Sequence, residues 1–89
     1  MTGNALGTKE QADLTSLPDG QTCRIVGLTG GSETVGRLEA MGLRTGALIV
    51  KKSSSLRRGP IVVGSGRVQI ALAYSIAKGV QVEPIQASA

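Results

Sequence analysis

The sequence predicts a small, mostly β domain with two short α-helices, and two observations support this fold class. Turn and strand signals alternate at short intervals along the 89 residues, as is typical of small β domains. Glycine, which readily adopts turn conformations, accounts for 13 of these residues. No apolar run approaches the roughly 20 residues of a membrane-spanning helix. We therefore expect one domain over residues 14–85, a flexible polar tail at 1–13 and a C-terminal tail at 86–89.

The first half of this domain is expected to contain a turn, a strand and a helix. Leu14 and Leu17 precede a turn at residues 18–20, and apolar residues then predict a strand at Thr22–Leu28. Ser32 is a favourable N-cap residue for a helix over residues 32–41. One face of this helix is apolar and is expected to lie in the core: Val35, Leu38 and Met41.

Two glycines follow this helix and are predicted to be structural turn residues. Gly42 in a left-handed conformation would end the helix in a Schellman motif, with a contact between Leu38 and Leu43. Gly46 would then open the next strand.

The second half is expected to contain three strands and one further helix. A strand over residues 47–52 would leave the core at Lys51-Lys52, and a polar loop follows at 53–58. Glycines at 64–66 predict a hairpin after a strand at 61–63. A second helix is predicted over residues 70–77, with Gly79 as its stop. The closing strand is expected to contain Val80, Val82 and Ile85.

Catalysis and metal binding find little support in the residue types. The chain has no histidine, no nucleophile beside a general base and no phosphate-binding loop, so we predict neither an enzyme nor a bound cofactor. Transition-metal sites draw chiefly on imidazole and thiolate ligands, and this chain has one cysteine and no histidine, so we predict no such site. Four carboxylates could converge on a metal, but solvated surface positions are the ordinary explanation: Asp13, Asp19, Glu33 and Glu39.

Three individual side chains are expected to be structural. Cys23 lies in an apolar strand without a paired cysteine, which favours core packing and a cytoplasmic protein. Met41 has helical spacing from Leu38, which favours packing over metal ligation. Tyr74, the only aromatic residue, is expected to pack against Val80.

Charge is distributed unevenly along the chain. Residues 40–82 contain seven basic residues and no acidic ones, a charge of +7, whereas the remainder carries −3. Lys51, Lys52, Arg57 and Arg58 flank one loop and predict a basic patch there. Such a patch would attract an acidic protein surface, anionic lipid or nucleic acid, unless it is simply a solvated loop.

Motifs spread over most of the domain resemble the FeoA family, which comprises small cytoplasmic SH3-like barrels associated with bacterial ferrous iron uptake. The resemblance implies a small SH3-like β-barrel with two short α-helices. The residues that carry it are Leu17, Gly20, Ile25, Leu28, Leu38, Met41-Gly42-Leu43, Gly46, Gly59-Pro60-Ile61, Ile70-Ala71-Leu72, Ala77 and Val82-Glu83.

This resemblance implies a non-enzymatic accessory protein of Fe²⁺ uptake that binds the FeoB transporter at its cytoplasmic GTP-binding region and modulates its activity. The membrane would then be reached only through the transporter. The candidate partner-binding residues are Lys51, Lys52, Leu56, Arg57 and Arg58, with Leu56 as an apolar anchor within a charged rim. A competing surface is the turn at Leu43-Arg44-Thr45.

Nucleic-acid binding by a small basic β-barrel is the alternative function. The isoelectric point near 9.9 favours it. Single-stranded nucleic acids, however, are usually held by stacking bases on aromatic side chains, and this chain has one tyrosine and no phenylalanine or tryptophan. The sequence leaves open which surface binds a partner, and in which oligomeric state.

Overall fold

The computed structural model describes residues 11–54 and 58–85, which contain a six-stranded antiparallel sheet. In chain order the elements are β1 (Ala12–Asp13), a 3-10 helix (Leu14–Ser16), β2 (Thr22–Leu28), α1 (Ser32–Ala40), β3 (Leu48–Ser54), β4 (Ile61–Ser65), β5 (Val68–Leu72), α2 (Tyr74–Ala77) and β6 (Val80–Pro84). The strand order in the sheet is β1-β6-β2-β3-β4-β5, so β1 and β5 form the edges. This architecture confirms the predicted mostly β, SH3-like fold class with two short α-helices.

The hydrophobic core lies between the inward face of the sheet and the helical segments. Strand residues alternate between the two faces, so every second side chain of the central strands is buried. Within the described part of the chain, Lys51 is the buried charged residue in this otherwise apolar core. The buried apolar residues are Leu14, Leu17, Cys23, Ile25, Leu38, Leu43, Ile49, Ile61, Val63, Leu72, Ala77, Val80 and Val82.

The ordered sheet begins slightly before the predicted domain boundary. Ala12 and Asp13, which the sequence assigned to the tail, pair with Val82 and Gln81 of β6. The carboxylate of Asp13 then accepts a hydrogen bond of 2.8 Å from the backbone N–H of Thr15 and caps the 3-10 helix. The capped 3-10 helix thus connects the edge of the sheet to the core.

Helix α1 starts and ends close to the predicted residues, but two of its side chains differ from expectation. Gly31, not Ser32, is the N-cap, because the carbonyl of Gly31 already accepts the first helical hydrogen bond from Val35. Met41 is the C-cap and is 40% exposed, so its predicted core position is wrong. Three residues advance a helix by about 300°, which turns Met41 about 60° away from the buried Leu38.

The predicted Schellman motif at the end of α1 is confirmed. Gly42 has a φ of +92°, in the left-handed region. Its N–H donates to the carbonyl of Glu39 (3.0 Å), and the N–H of Leu43 donates to the carbonyl of Leu38 (2.9 Å). Both leucines are buried in the core. Gly46 follows with a φ of +96°, and its N–H donates to the carbonyl of Ile25 (2.7 Å) where the chain approaches β3.

The second helix, predicted over residues 70–77, is confirmed only in its second half, because residues 70–72 belong to a strand. Val68–Leu72 pairs with β4 over five consecutive residues, and only Tyr74–Ala77 is helical. The hairpin turn lies at Gly66-Arg67, between the paired Ser65 and Val68, not at residues 64–66. Ile70 and Leu72 are two residues apart and therefore share one face of a strand. Of the helices that the structure describes, none is both long and apolar enough to cross a bilayer.

Gly79 was predicted to end α2 as Gly42 ends α1, in a left-handed conformation. Its φ lies outside the left-handed region, so its structural role is a different one. The N–H of Thr29 donates to the carbonyl of Gly79 (2.9 Å), and a Cβ at Gly79 would lie 2.8 Å from the carbonyl oxygen of Thr29. A glycine is therefore required by close approach of two backbones. Tyr74 begins α2 and packs, half-buried, against the core.

Candidate interaction surface

The side chains of the predicted basic patch point to opposite sides of the sheet, Lys51 inward and Lys52 outward. Lys51 is only 3% exposed, and its ammonium donates to the carbonyls of Leu17 (2.5 Å) and Thr15 (3.1 Å). Its prediction as a partner-binding residue is therefore wrong. Lys51 lies two residues after the buried Ile49 on the same strand, so both point inward. This alternation was the available signal in the sequence.

The ammonium of Lys51 joins the 3-10 segment to the sheet. Hydrogen bonds from a charged donor are stronger than neutral ones, and the two carbonyls supply acceptors that a buried lysine needs. Backbone bonds on either side reinforce this attachment: the N–H of Gly20 donates to the carbonyl of Lys51 (2.6 Å), and the N–H of Lys51 donates to Gln21 (2.9 Å). The chemistry of Lys51 is therefore structural.

Lys52 and the residues beside it form an exposed surface on the outward side of the sheet, which we call the β3 face. Leu48 is 54% exposed, although nothing in the sequence analysis singled it out. The stem of Lys52 crosses Gly64, where a Cβ would lie 2.8 Å from its Cε. The β3 face encloses a shallow pocket of about 120 Å³. Besides the buried Ile49, the pocket is lined by six residues that together define the β3 face: Thr22, Leu48, Val50, Lys52, Gly64 and Gly66.

The other predicted partner-binding residues fall into three groups. Leu56 and Arg57 lie outside the described residues, whereas Arg58 is exposed just after them. Leu43 is fully buried, so its assignment to a partner surface is wrong; the Schellman contact places it in the core. Arg44 is exposed, and its guanidinium donates to the carbonyl of Glu39 (3.4 Å).

Cys23 is a buried free cysteine, as predicted. Desolvation raises the pKa of its thiol to about 11, and the positive charge of Lys51 partly opposes this shift. The thiol is therefore neutral at physiological pH and packs as a small apolar group. No cluster of three or more His, Cys, Asp or Glu side chains suited to a metal ion occurs in residues 11–54 and 58–85.

A second apolar depression lies on another side of the molecule, between α1, the end of β5 and α2. We call it the α1 groove. It has a volume of about 150 Å³, and the partly exposed Met41 and Ile76 contribute to its lining together with Arg37. The guanidinium of Arg37 lies 3.8 Å from the carboxylate of Glu33, in an ion pair that is almost fully exposed. The complete lining is Thr34, Arg37, Leu38, Met41, Ala71, Leu72, Ala73 and Ile76.

Fold and surface together define a small SH3-like domain whose exposed apolar side chains lie beside basic ones. The sequence profile of the FeoA domain matches residues 13–84, and the chain belongs to this family. The resemblance inferred from the sequence motifs is thus confirmed. A search of curated proteins found no significant match.

Solved structures agree with this assignment. The crystal structure of an iron uptake regulatory protein (FeoA) is 29% identical to this chain, with a TM-score of 0.75, and the match covers 84% of this chain and 97% of the other. Iron(II) transport protein A from Clostridium thermocellum is also 29% identical, with a TM-score of 0.75, and the match covers 82% of this chain and 45% of that protein.

The same fold also occurs within a larger regulator. A manganese-dependent transcriptional repressor has a TM-score of 0.79 at 15% identity, and the match covers 88% of this chain and 44% of the repressor. At this identity the similarity concerns the fold alone.

Proposed function

We propose that this protein is a non-enzymatic, cytoplasmic accessory protein of bacterial ferrous iron uptake that binds the FeoB transporter at its cytoplasmic GTP-binding region. The observation that carries the proposal is the FeoA domain match over residues 13–84. An iron uptake regulatory protein with nearly the same extent, 97% of which is covered by the match, adds support. Docking would modulate the nucleotide cycle or the transport state of FeoB.

The β3 face is the surface that we propose for this docking. Leu48 offers an exposed apolar side chain, and Lys52 and Arg58 supply positive charge nearby in sequence. A central apolar contact within a polar rim is the usual arrangement of a protein interface. Leu56 and Arg57, which follow β3 in the sequence and lie outside the described residues, remain part of this proposed surface.

Calorimetric titration with the cytoplasmic GTP-binding region of FeoB from the same organism tests the proposal. We expect saturable binding that weakens with salt, since charged rims act largely through screened electrostatics. The variants Leu48→Ala and Lys52→Gln should each weaken binding by about threefold to tenfold. Arg37→Gln, which removes the same charge from the α1 groove, is the matched control.

The possible outcomes distinguish a failure of the proposed function from a failure of the proposed surface. Binding that is equally strong in Leu48→Ala and Lys52→Gln would reject the β3 face. Absence of any transporter binding, with salt-sensitive binding to a nucleic-acid mixture, would instead favour the basic nucleic-acid-binding alternative. Circular dichroism spectra of the variants should match the unmodified protein, because both side chains are on the outward face.

A further inference from the structure

Strand β5 presents an open edge of the sheet. In the part of the chain that the structure describes, β5 pairs with β4 along its length and with no strand on its other side. The exposed fractions are high along this edge, with Val68 57% exposed and Gln69 and Ala71 also exposed. The opposite edge, β1, is only two residues long. Among the strands of residues 11–54 and 58–85, β5 is therefore the longer one with an unpaired edge.

This edge lacks the features that usually prevent further strand pairing. Proteins commonly protect a free edge with a lysine, a proline, a bulge or a very short strand. The sequence of β5 is Val-Gln-Ile-Ala-Leu, without a charge or a proline, and its register with β4 is regular over five residues. By contrast, the register between β3 and β4 shifts between Lys51 and Ser53. An unprotected, regular edge is suited to accept an added strand.

The hairpin defines which backbone groups of β5 point outward. Ser65 and Val68 close a two-residue turn, and the closing residues of such a hairpin form a hydrogen-bonded pair. Hydrogen-bonded and non-hydrogen-bonded pairs alternate along an antiparallel ladder. The N–H and C=O groups of Gln69 and Ala71 consequently face away from β4. These are the groups that an added strand would use.

The α1 groove lies beside the C-terminal end of this edge. Ala71 and Leu72 of β5 line it together with Leu38 and Met41 from α1. Side chains of a strand added to β5 would alternate between the two faces of the sheet. One set of them would therefore lie on the same side as the groove. This gives an apolar contact in addition to the backbone hydrogen bonds.

The charges around β5 indicate the chemistry of the occupant. Arg67 immediately precedes the strand and is exposed, and Arg37 lines the groove. Residues 40–82, which include β5, contain no acidic side chain. Helix α1 carries Glu33 and Glu39, but neither lines the groove, and the ion pair of Glu33 with Arg37 is long (3.8 Å) and largely exposed. The β5 strand of a second copy carries no charge, so it would bring no carboxylate to Arg67 or Arg37. An acidic segment would meet complementary charge.

We propose that the β5 edge and the α1 groove bind an acidic, extended segment of another protein, which adds to the sheet as a strand next to β5. The segment would hydrogen-bond to the backbone of Gln69 and Ala71, place apolar side chains in the α1 groove and pair its carboxylates with Arg37 and Arg67. This surface is distinct from the β3 face, and its test does not involve the transporter.

The probe is a fluorescein-labelled heptapeptide with alternating glutamate and valine, titrated into the full chain while anisotropy is followed. Two control peptides have lysine in place of glutamate, or proline in place of the central valine. We expect the acidic peptide to bind and neither control peptide to bind. Arg37→Gln and Arg67→Gln should each weaken it by about threefold or more, whereas Lys52→Gln, with the same loss of charge, should change it by less than about twofold.

Amide hydrogen exchange provides the readout that distinguishes strand addition from general charge attraction. With saturating peptide, exchange of the Gln69 and Ala71 amides should slow by about tenfold or more, because both would become hydrogen-bonded. The proposal is overturned if the peptide does not bind, or if it binds without slowing these two amides. Sedimentation that shows self-association through this edge in the absence of peptide would also overturn it.

Discussion

The two faces of β3 invert the usual relation between polarity and burial. On the inward face, Ile49 and Lys51 are almost completely buried. On the outward face, Leu48 is 54% exposed and Lys52 is exposed. Within five consecutive residues the strand thus buries a lysine and exposes a leucine.

The difference shows that strand geometry, more than side-chain polarity, sets which residues face the core. Cys23 pairs with Ile49 across the ladder, and both point inward. Once this register exists, position 51 must also face inward because side chains alternate. A lysine is tolerated there since the carbonyls of Thr15 and Leu17 accept its hydrogen bonds.

Replacing each lysine by methionine tests this contrast directly. Lys51→Met keeps the approximate length of the side chain but leaves the carbonyls of Thr15 and Leu17 without their donor. An unsatisfied buried polar group costs about 1–3 kcal/mol, so we expect a loss of roughly 2–3 kcal/mol in the free energy of unfolding. Lys52→Met should change it by less than about 0.5 kcal/mol.

Urea unfolding followed by far-ultraviolet circular dichroism suits this comparison, because the chain has no tryptophan for fluorescence. The two variants lose the same charge, so any difference between them reports the direction of the side chain. Equal stability of Lys51→Met and the unmodified protein would show that desolvating the ammonium cancels its hydrogen bonds.

The same contrast explains how much of the molecule could be predicted from its sequence. Local signals were sufficient at α1, where Gly42 and the spacing of Leu38 and Leu43 specify the Schellman motif. They failed at residues 70–77, because Leu72 and Ile76 are one helical turn apart and fit a helix as well as a strand followed by a short helix. Pairing with β4 through the hairpin at Gly66-Arg67 decides between them.

The candidate surface was less predictable than the fold. A run of basic residues indicates charge but not the direction of each side chain, so Lys51 and Lys52 received the same role. Leu48 was missed because an apolar residue at the start of a strand usually indicates core. Its exposure follows from the register Arg24↔Leu48, opposite a residue on the outward face.

The pH dependence of the free energy of unfolding tests whether Cys23 lies on the inward face. Burial raises the pKa of its thiol to about 11, whereas the ordinary value is 9.0. Between these values the unfolded chain binds fewer protons than the folded one, so stability falls as pH rises. From pH 8 to pH 10 the unmodified protein should lose about 1 kcal/mol more than Cys23→Val, in which this group is absent.

Urea unfolding of both proteins at the two pH values measures this difference, and the variant controls for other groups that titrate in the same range. Parallel losses in the two proteins would mean that the thiol is accessible to solvent in the folded state. That result would contradict the assignment of Cys23 to the inward face.

The smallest effect is expected at Gly64, opposite Val50 on the ladder. A Cβ there would lie 2.8 Å from Cε of Lys52, the far end of a flexible side chain on the outward face. Because Lys52 can move aside, Gly64→Ala should change the free energy of unfolding by no more than about 0.5 kcal/mol. Gly79→Ala is the matched control, since its Cβ would lie at the same 2.8 Å from the backbone oxygen of Thr29. The backbone of Thr29 is held against Gly79 by the hydrogen bond from its N–H to the Gly79 carbonyl and cannot move aside as a side chain can. We expect it to lose more than about 1 kcal/mol in thermal or urea unfolding. Similar losses in both variants would show that the stem of Lys52 is fixed over Gly64, and that the outward face is packed as tightly as the inward one.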